Sequence, residues 1–176
     1  MGLKGIIQNS LLRSAKRLEQ KAKGHSREVS LRLVGLVIYL DDVTELDSLT
    51  MVKTLFTQKG AACFSCIFLK DKKMVIPEEF LDERTIMLDS NSLNWVGVVH
   101  PNLTEYFLQE AFDLIINLSK DFFFPTSYLA SLAKAGIKVG RYVHPLSSYR
   151  LVLAANEPCN NEGFIHLLDS SLQFIK

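Results

Sequence analysis

The chain has 176 residues, 48% hydrophobic and 22% charged, with a formal net charge of +1. That length suits one domain with a real core, and the composition excludes a disordered or fibrous protein. Near-neutrality excludes a molecule that binds nucleic acid over its whole surface, but it conceals an asymmetry: residues 1–28 carry a net +5 and the remainder −4.

Residues 3–23 read as a helix, because Ile7, Leu11, Ala15, Leu18 and Ala22 recur at three- and four-residue spacing. Lys4, Arg13, Lys16, Arg17, Lys21 and Lys23 occupy the rest of its circumference, Gly24 is placed to stop it, and His25–Ser30 reads as a linker. The division expected is a basic amphipathic arm over 1–28 and a folded α/β domain over 29–176. Next, "LRLVGLVIYL" (31–40) is an almost unbroken apolar and β-branched run, which suits a parallel strand covered on both faces. It ends at Asp41-Asp42. Leu46, Leu49, Val52, Leu55 and Phe56 then give a helical stripe that closes at Gly60.

"ACFSCIFLK" (62–70) reads as a second strand, and shorter strands are expected near 84–88 and 95–99. Residues 103–111 read as a helix, 113–118 as a strand, 126–135 as a helix with Gly136 as its left-handed stop, and 137–141 as a strand. Phe122–Phe124 are expected to dock their loop onto the core, with Pro125 at the first turn of the helix. One more strand at 149–155 and an amphipathic helix from 162 complete the chain. Strands alternating with helices define the fold class: a single Rossmann-like three-layer α/β domain, with a mainly parallel sheet and a basic N-terminal helix.

In an open parallel sheet, ligands bind beyond the carboxyl ends of the strands. That rule selects Asp41 and Asp42 after the first strand, and Asn117 and Ser119 after the strand at 113–118. A carboxylate there can hold a ribose hydroxyl or a metal; equally, Asp42 or Thr44 can cap the following helix. Asn117 and Ser119 can likewise serve local backbone groups. Neither Gly-x-Gly-x-x-Gly nor a Walker pattern occurs, and two acids after the first strand would repel phosphate, so no nucleotide cofactor is expected.

Cys63 and Cys66 form a Cys-x-x-Cys, but inside a strand an offset of three sends them to opposite faces, where they act as small hydrophobes. Cys159 reads as a loop thiol. An odd set of three cysteines suits a reducing compartment. His25, His100, His144 and His166 form no ligand cluster, no hydrolase elbow is present, and neither a metal nor a catalytic set is expected. No signal peptide, no apolar run of the ~20 residues a span requires, and no myristoylation context are visible, so the expected place is the cytoplasm, peripheral at the inner membrane if the arm takes lipid.

"FDLIINLS…FP…YLASLAKAGIKVGRY", preceded by "LNWVGVV" and a Lys/Arg-rich N-terminal helix, resembles an uncharacterised family of small α/β proteins from Bacteroidetes. The likeness covers most of the chain and implies no activity. "DLIINL", the Leu/Ala/Ser-rich helix and "IKVGRY" are also similar to a segment of the acceptor-side domain of heptosyltransferase-type GT-B glycosyltransferases. This chain has room for only one such domain. The second resemblance would therefore imply a half-enzyme that kept the scaffold without the donor site, with Lys138 and Arg141 either meeting an anionic ligand or serving solubility beside an edge strand.

Two functions are expected. The first is a non-enzymatic binding or adaptor protein whose basic helix meets a protein, RNA or an anionic membrane surface. The second is an enzyme for a small polar or sugar-related metabolite at the strand ends. With no aromatic residue in 1–28, base stacking and an interfacial aromatic anchor are not expected from the arm itself.

Overall fold

The computed structural model describes residues 2–22, 31–142, 144, 148–153 and 161–173; the expected linker, Lys23, Cys159 and the ends of the last strand and helix lie outside them. Helix α1 (Leu3–Ala22) comes first, then β1 (Leu33–Leu40), a 3-10 turn (Val43–Glu45), α2 (Leu46–Gln58) and β2 (Ala62–Leu69). β3 (Thr85–Leu88), α3 (Pro101–Gln109), β4 (Ala111–Asn117), α4 (Phe124–Leu132), β5 (Lys134–Gly140), β6 (Leu151–Val152) and α5 (Asn161–Gln173) complete the order.

The six strands form one sheet in the order β3-β2-β1-β4-β5-β6, and every pair is parallel. Such strands are covered on both faces, which is why β1 and β4 are apolar almost throughout. Val34, Leu36, Ile38 and Leu40 of β1 pack with Leu49, Val52 and Phe56 of α2 and with Phe164 and Leu168 of α5. On the other face, Val37, Phe64, Cys66, Phe112 and Ile115 pack with Phe107 of α3, with Leu129 and Ala130 of α4, and with Ala133 just after it. The molecule is therefore a three-layer α/β domain of the Rossmann-like kind.

Helix α4 is buried far beyond a one-sided stripe: Phe124, Pro125, Thr126, Ser127, Leu129, Ala130 and Ser131 are all enclosed. A helix enclosed this way needs cover away from the sheet too, and α1 lies against it. The docked line of α1 runs through Leu12 and Ala15, both buried, with Ile7 and Leu11 only half-buried. The apolar periodicity pointed to Ile7–Leu11–Ala15; the structure turns the helix so that Leu12 carries the contact. Gln8 fixes its azimuth, its Nε2 donating to the carbonyl of Val96 at 2.5 Å.

Two local expectations change. Gly136 is not a left-handed helix stop: α4 ends at Leu132, Ala133 turns straight into extended geometry, and β5 already pairs with β4 at Lys134. Sheet pairing outweighs the helix propensity of Ala and Lys there. Residues 95–99 do not form a strand. Asn94 Oδ1 accepts from the backbone N–H groups of Val96, Gly97 and Val98 at 3.0–3.1 Å, and Gly97 takes φ +93, leaving a tight turn closed by the Leu93–Val99 bridge.

Replacing Leu12 by Ala opens a cavity between α1 and α4. The expected cost is about 2–5 kcal/mol in a denaturant titration, whereas Ser14→Ala on the exposed side changes stability by less than about 0.5 kcal/mol.

Candidate functional site

The strand order reverses between β1 and β4, so the crevice of this fold opens where their carboxyl ends part. Their register runs to Val37–Asn117, and Leu118 N–H adds one more bond, to Val37 O at 2.8 Å. Beyond that the strands diverge. Ser119 then closes the gap, its Oγ accepting from the N–H of Tyr39 at 3.1 Å. Phe123 occupies the space above, stacked on the Tyr39 ring with centroids 4.1 Å apart and edge-on to Phe68.

Asn117 and Ser119 are buried at 0% and 1% exposure. The Asn117 amide is the hub of a polar knot. Its Nδ2 lies 2.6 Å from Tyr149 OH, 3.2 Å from Tyr142 OH and 3.4 Å from Thr126 Oγ1, while its Oδ1 accepts from Ser119 N–H. An amide nitrogen has two hydrogens, so the two short contacts take them and the Thr126 contact is secondary. Ser127 Oγ donates to Phe123 O at 3.0 Å, which leaves it to accept from Tyr142 OH; Tyr149 in turn donates to Tyr142 at 3.2 Å. The knot continues through Ser131, which takes a bond from Ser148 Oγ at 3.0 Å and whose carbonyl accepts from Lys138 Nζ at 2.7 Å.

Burial pushes the Tyr142 and Tyr149 phenols up, Tyr149 well above its ordinary value. Gly140 makes the arrangement possible, since a Cβ there would run into the Tyr149 ring.

The acids behave differently. Asp42 caps the Val43–Glu45 turn, accepting from Thr44 N–H at 2.6 Å, and that bond holds its carboxyl below the usual range. Asp41 pairs with Lys70 at 2.5 Å in an exposed bridge. Glu45 is buried and meets Lys120 at 3.0 Å across the crevice. The structure thus brings Asn117 and Ser119 together and leaves Asp41 and Asp42 at the rim.

Lys138 is buried, and β6 lies outside β5, so Lys138 is not a solubility device on an edge. Arg141 sits over the Phe164 ring, 4.9 Å from its centroid. Cys63 and Cys66 are both pushed up by burial, Cys63 to about 11, which suits inert thiols. Among the described residues, no group of three His, Cys, Asp or Glu is placed to hold a metal.

The second candidate surface is α1 itself. With Leu12 and Ala15 turned inward, Lys4, Arg13 and Arg17 are exposed and Lys16 is half-buried; the side chain of Lys21 lies outside the described residues. Ile6, Asn9, Ser10, Arg13, Ser14 and Arg17 line an open groove of about 420 Å³. Among the described residues, no acidic side chain is ion-paired to Arg13 or Arg17.

The chain belongs to a family of unknown function, DUF6913, whose model matches residues 6–175, from within α1 to past α5. No curated protein and no solved structure matches it. No helix among the described residues is long and apolar enough to cross a membrane.

Tyr149→Phe leaves the Asn117 amide short of its closest acceptor, at an expected cost of about 1–3 kcal/mol at neutral pH. The native phenols keep their protons to higher pH than unfolded ones, so stability falls as pH climbs above about 10. In urea titrations at stepped alkaline pH, that fall is expected to be shallower in Tyr149→Phe than in the original chain.

Proposed function

We propose that this is a non-enzymatic binding or adaptor protein that holds an anionic partner on the outer face of α1. The observation that carries the reading is the groove beside Arg13 and Arg17. The helix is docked through Leu12 and Ala15, so its cations are presented from a fixed platform, not from a loose tail. Arg13 and Arg17 are four residues apart and stand about 5–6 Å from each other at their Cβ atoms, close enough to act on one anionic group or on neighbouring ones. Ser10 and Ser14 add hydroxyl groups along the same groove. Cytoplasmic placement and a peripheral place at the inner membrane both fit this surface.

A second reading has one observation in its favour, the reversal of strand order between β1 and β4. A small-metabolite site at that crevice, including a degenerate glycosyltransferase-like half-domain, would use Asp41, Asp42, Asn117 and Ser119. Three facts favour α1 instead: Asn117 and Ser119 are spent on the internal knot, Asp42 on a cap, and Phe123 fills the space over Tyr39.

Arg13→Gln together with Arg17→Gln removes two charges and retains most of the side-chain bulk. Binding to phosphatidylserine vesicles, single-stranded RNA and polyglutamate, measured side by side, is expected to weaken for whichever probe is held. The loss should be roughly thirtyfold at low salt, or about 1 kcal/mol per cation, and should shrink as ionic strength rises. Unchanged affinity for all three probes would remove the reading. Both side chains are exposed, so the thermal midpoint should stay put and serve as the folding control.

A further inference from the structure

Four residues of the α1 groove stand in a fixed relation to one another. Ser10, Arg13, Ser14 and Arg17 follow the spacing i, i+3, i+4 and i+7, and all four are exposed. Residues three and four apart are neighbours on a helix surface, so the four outline one diamond. Arg13 and Ser14 lie side by side across it, with Ser10 one turn before and Arg17 one turn after. At about 100° of rotation per residue, the buried Leu12 and Ala15 fall on the opposite side of the helix.

The diamond is also unengaged. Among the described residues, none of its four side chains makes a hydrogen bond or an ion pair, whereas Lys53, Lys59, Lys70 and Lys120 are each paired with a carboxylate. No acidic residue occurs from Gly2 to Leu18. Two forked guanidinium donors and two hydroxyls therefore stand around one spot of a docked helix, beside an open groove.

Resting on the reading of α1 as an anion-binding face, we infer that this diamond receives a phosphate monoester, the phosphoserine or phosphothreonine of a partner protein. Charge selects the monoester. A phosphorylated side chain carries about −1.5 to −2 at neutral pH, which two arginines match at a single point. The phosphodiesters of RNA instead spread single charges along a backbone. Geometry agrees, since guanidinium forks present paired N–H groups to phosphate oxygens and the serine hydroxyls can donate to others. The groove is open along one helix face, so it does not enclose a small metabolite, whose sites bury most of the ligand surface. A phosphate carried on a larger chain needs no such enclosure. Ile6, four residues before Ser10 and 55% exposed, lines the same groove and gives an apolar contact to a residue next to the phosphorylated one.

The probe is a dye-labelled pool of degenerate peptides around one fixed phosphoserine, titrated with the full chain and read by fluorescence anisotropy. The same pool with serine at that position is the reference. The phosphoserine pool should bind at least roughly tenfold more tightly, and Arg13→Gln/Arg17→Gln should remove that advantage. Arg13→Lys/Arg17→Lys keeps the charge without the fork and should recover only part of it. Ser10→Ala/Ser14→Ala should weaken the phosphoserine pool roughly threefold to tenfold and leave the serine pool unchanged. The second ionisation of the phosphate lies near pH 6, so its affinity should rise between pH 5 and 7. No histidine of α1, α4 or the 94–98 turn could imitate that rise, because none occurs there.

Phosphatidylserine vesicles, single-stranded RNA and polyglutamate form the other arms, and the outcomes separate the two proposals. If any of them binds through Arg13 and Arg17 while the phosphoserine pool gains nothing over the serine pool, the phosphate site is overturned and the cationic face stands. If the phosphoserine advantage survives Arg13→Gln/Arg17→Gln, the phosphate is held elsewhere and the inference is again overturned. If no probe binds at all, both proposals fail together. The four side chains are exposed, so their substitutions should leave the thermal midpoint unchanged. A double variant that unfolds is replaced by Arg17→Gln alone, for which a smaller loss of the same phosphate-dependent kind is expected.

Discussion

Because Phe124, Thr126, Ser127, Leu129, Ala130 and Ser131 are all buried, α4 needs cover on its outer side as well as on the sheet, and α1 provides it. That requirement reaches far. It turns Leu12 and Ala15 inward, fixes which arc of α1 faces solvent, and so decides that Arg13 and Arg17 stand together on an open groove. The basic helix is therefore a structural layer and, on the reading proposed for it, also the surface offered to a charged partner. A free basic arm would have to order itself on binding; a docked one has largely met that cost in folding.

At the other end of the reasoning stands the crevice between β1 and β4, the place this topology reserves for ligands. Here it is used for cohesion. The Asn117 amide joins the exit of β4 to two tyrosines that follow β5, and Ser119 ties the diverging end of β1 to the same point. An unpaired amide at 0% exposure would cost about 1–3 kcal/mol, so the tyrosines and the asparagine require each other. Tyr142 and Tyr149 are polar groups whose burial is tolerable only inside such a closed set.

Much of the architecture was legible in the sequence, because each strand of a doubly covered sheet announces itself as an apolar run. "LRLVGLVIYL" could not have served a one-sided sheet, and the alternation of such runs with 3.6-residue stripes predicts parallel crossovers. Misreadings occurred where one local signal met a stronger competitor. Gly136 looked like a helix stop but lies inside β5, whose neighbouring residues pair with β4, and the apolar residues at 95–99 were drawn into a turn by the Asn94 side chain. At the strand ends, Asn117 and Ser119 were visible by position. Their partners were not, since Tyr142 and Tyr149 lie 25 and 32 residues further on and carry no periodic signal. The cations of α1 could be read directly; the turn that Gln8 grips could not, because only the folded chain brings residue 96 to residue 8.

The docking of α1 on α4, in which Leu12, Ala15 and the Gln8 hydrogen bond take part, has a thermodynamic consequence. A partner that grips the outer face recognises the helix in its docked position, so each increment of binding free energy is also an increment holding α1 on α4. The coupling runs both ways: whatever loosens α1 weakens its hold on the partner, and whatever engages the partner secures the cover on α4. For such a partner, occupancy at the surface and integrity of the core would be two readings of one equilibrium.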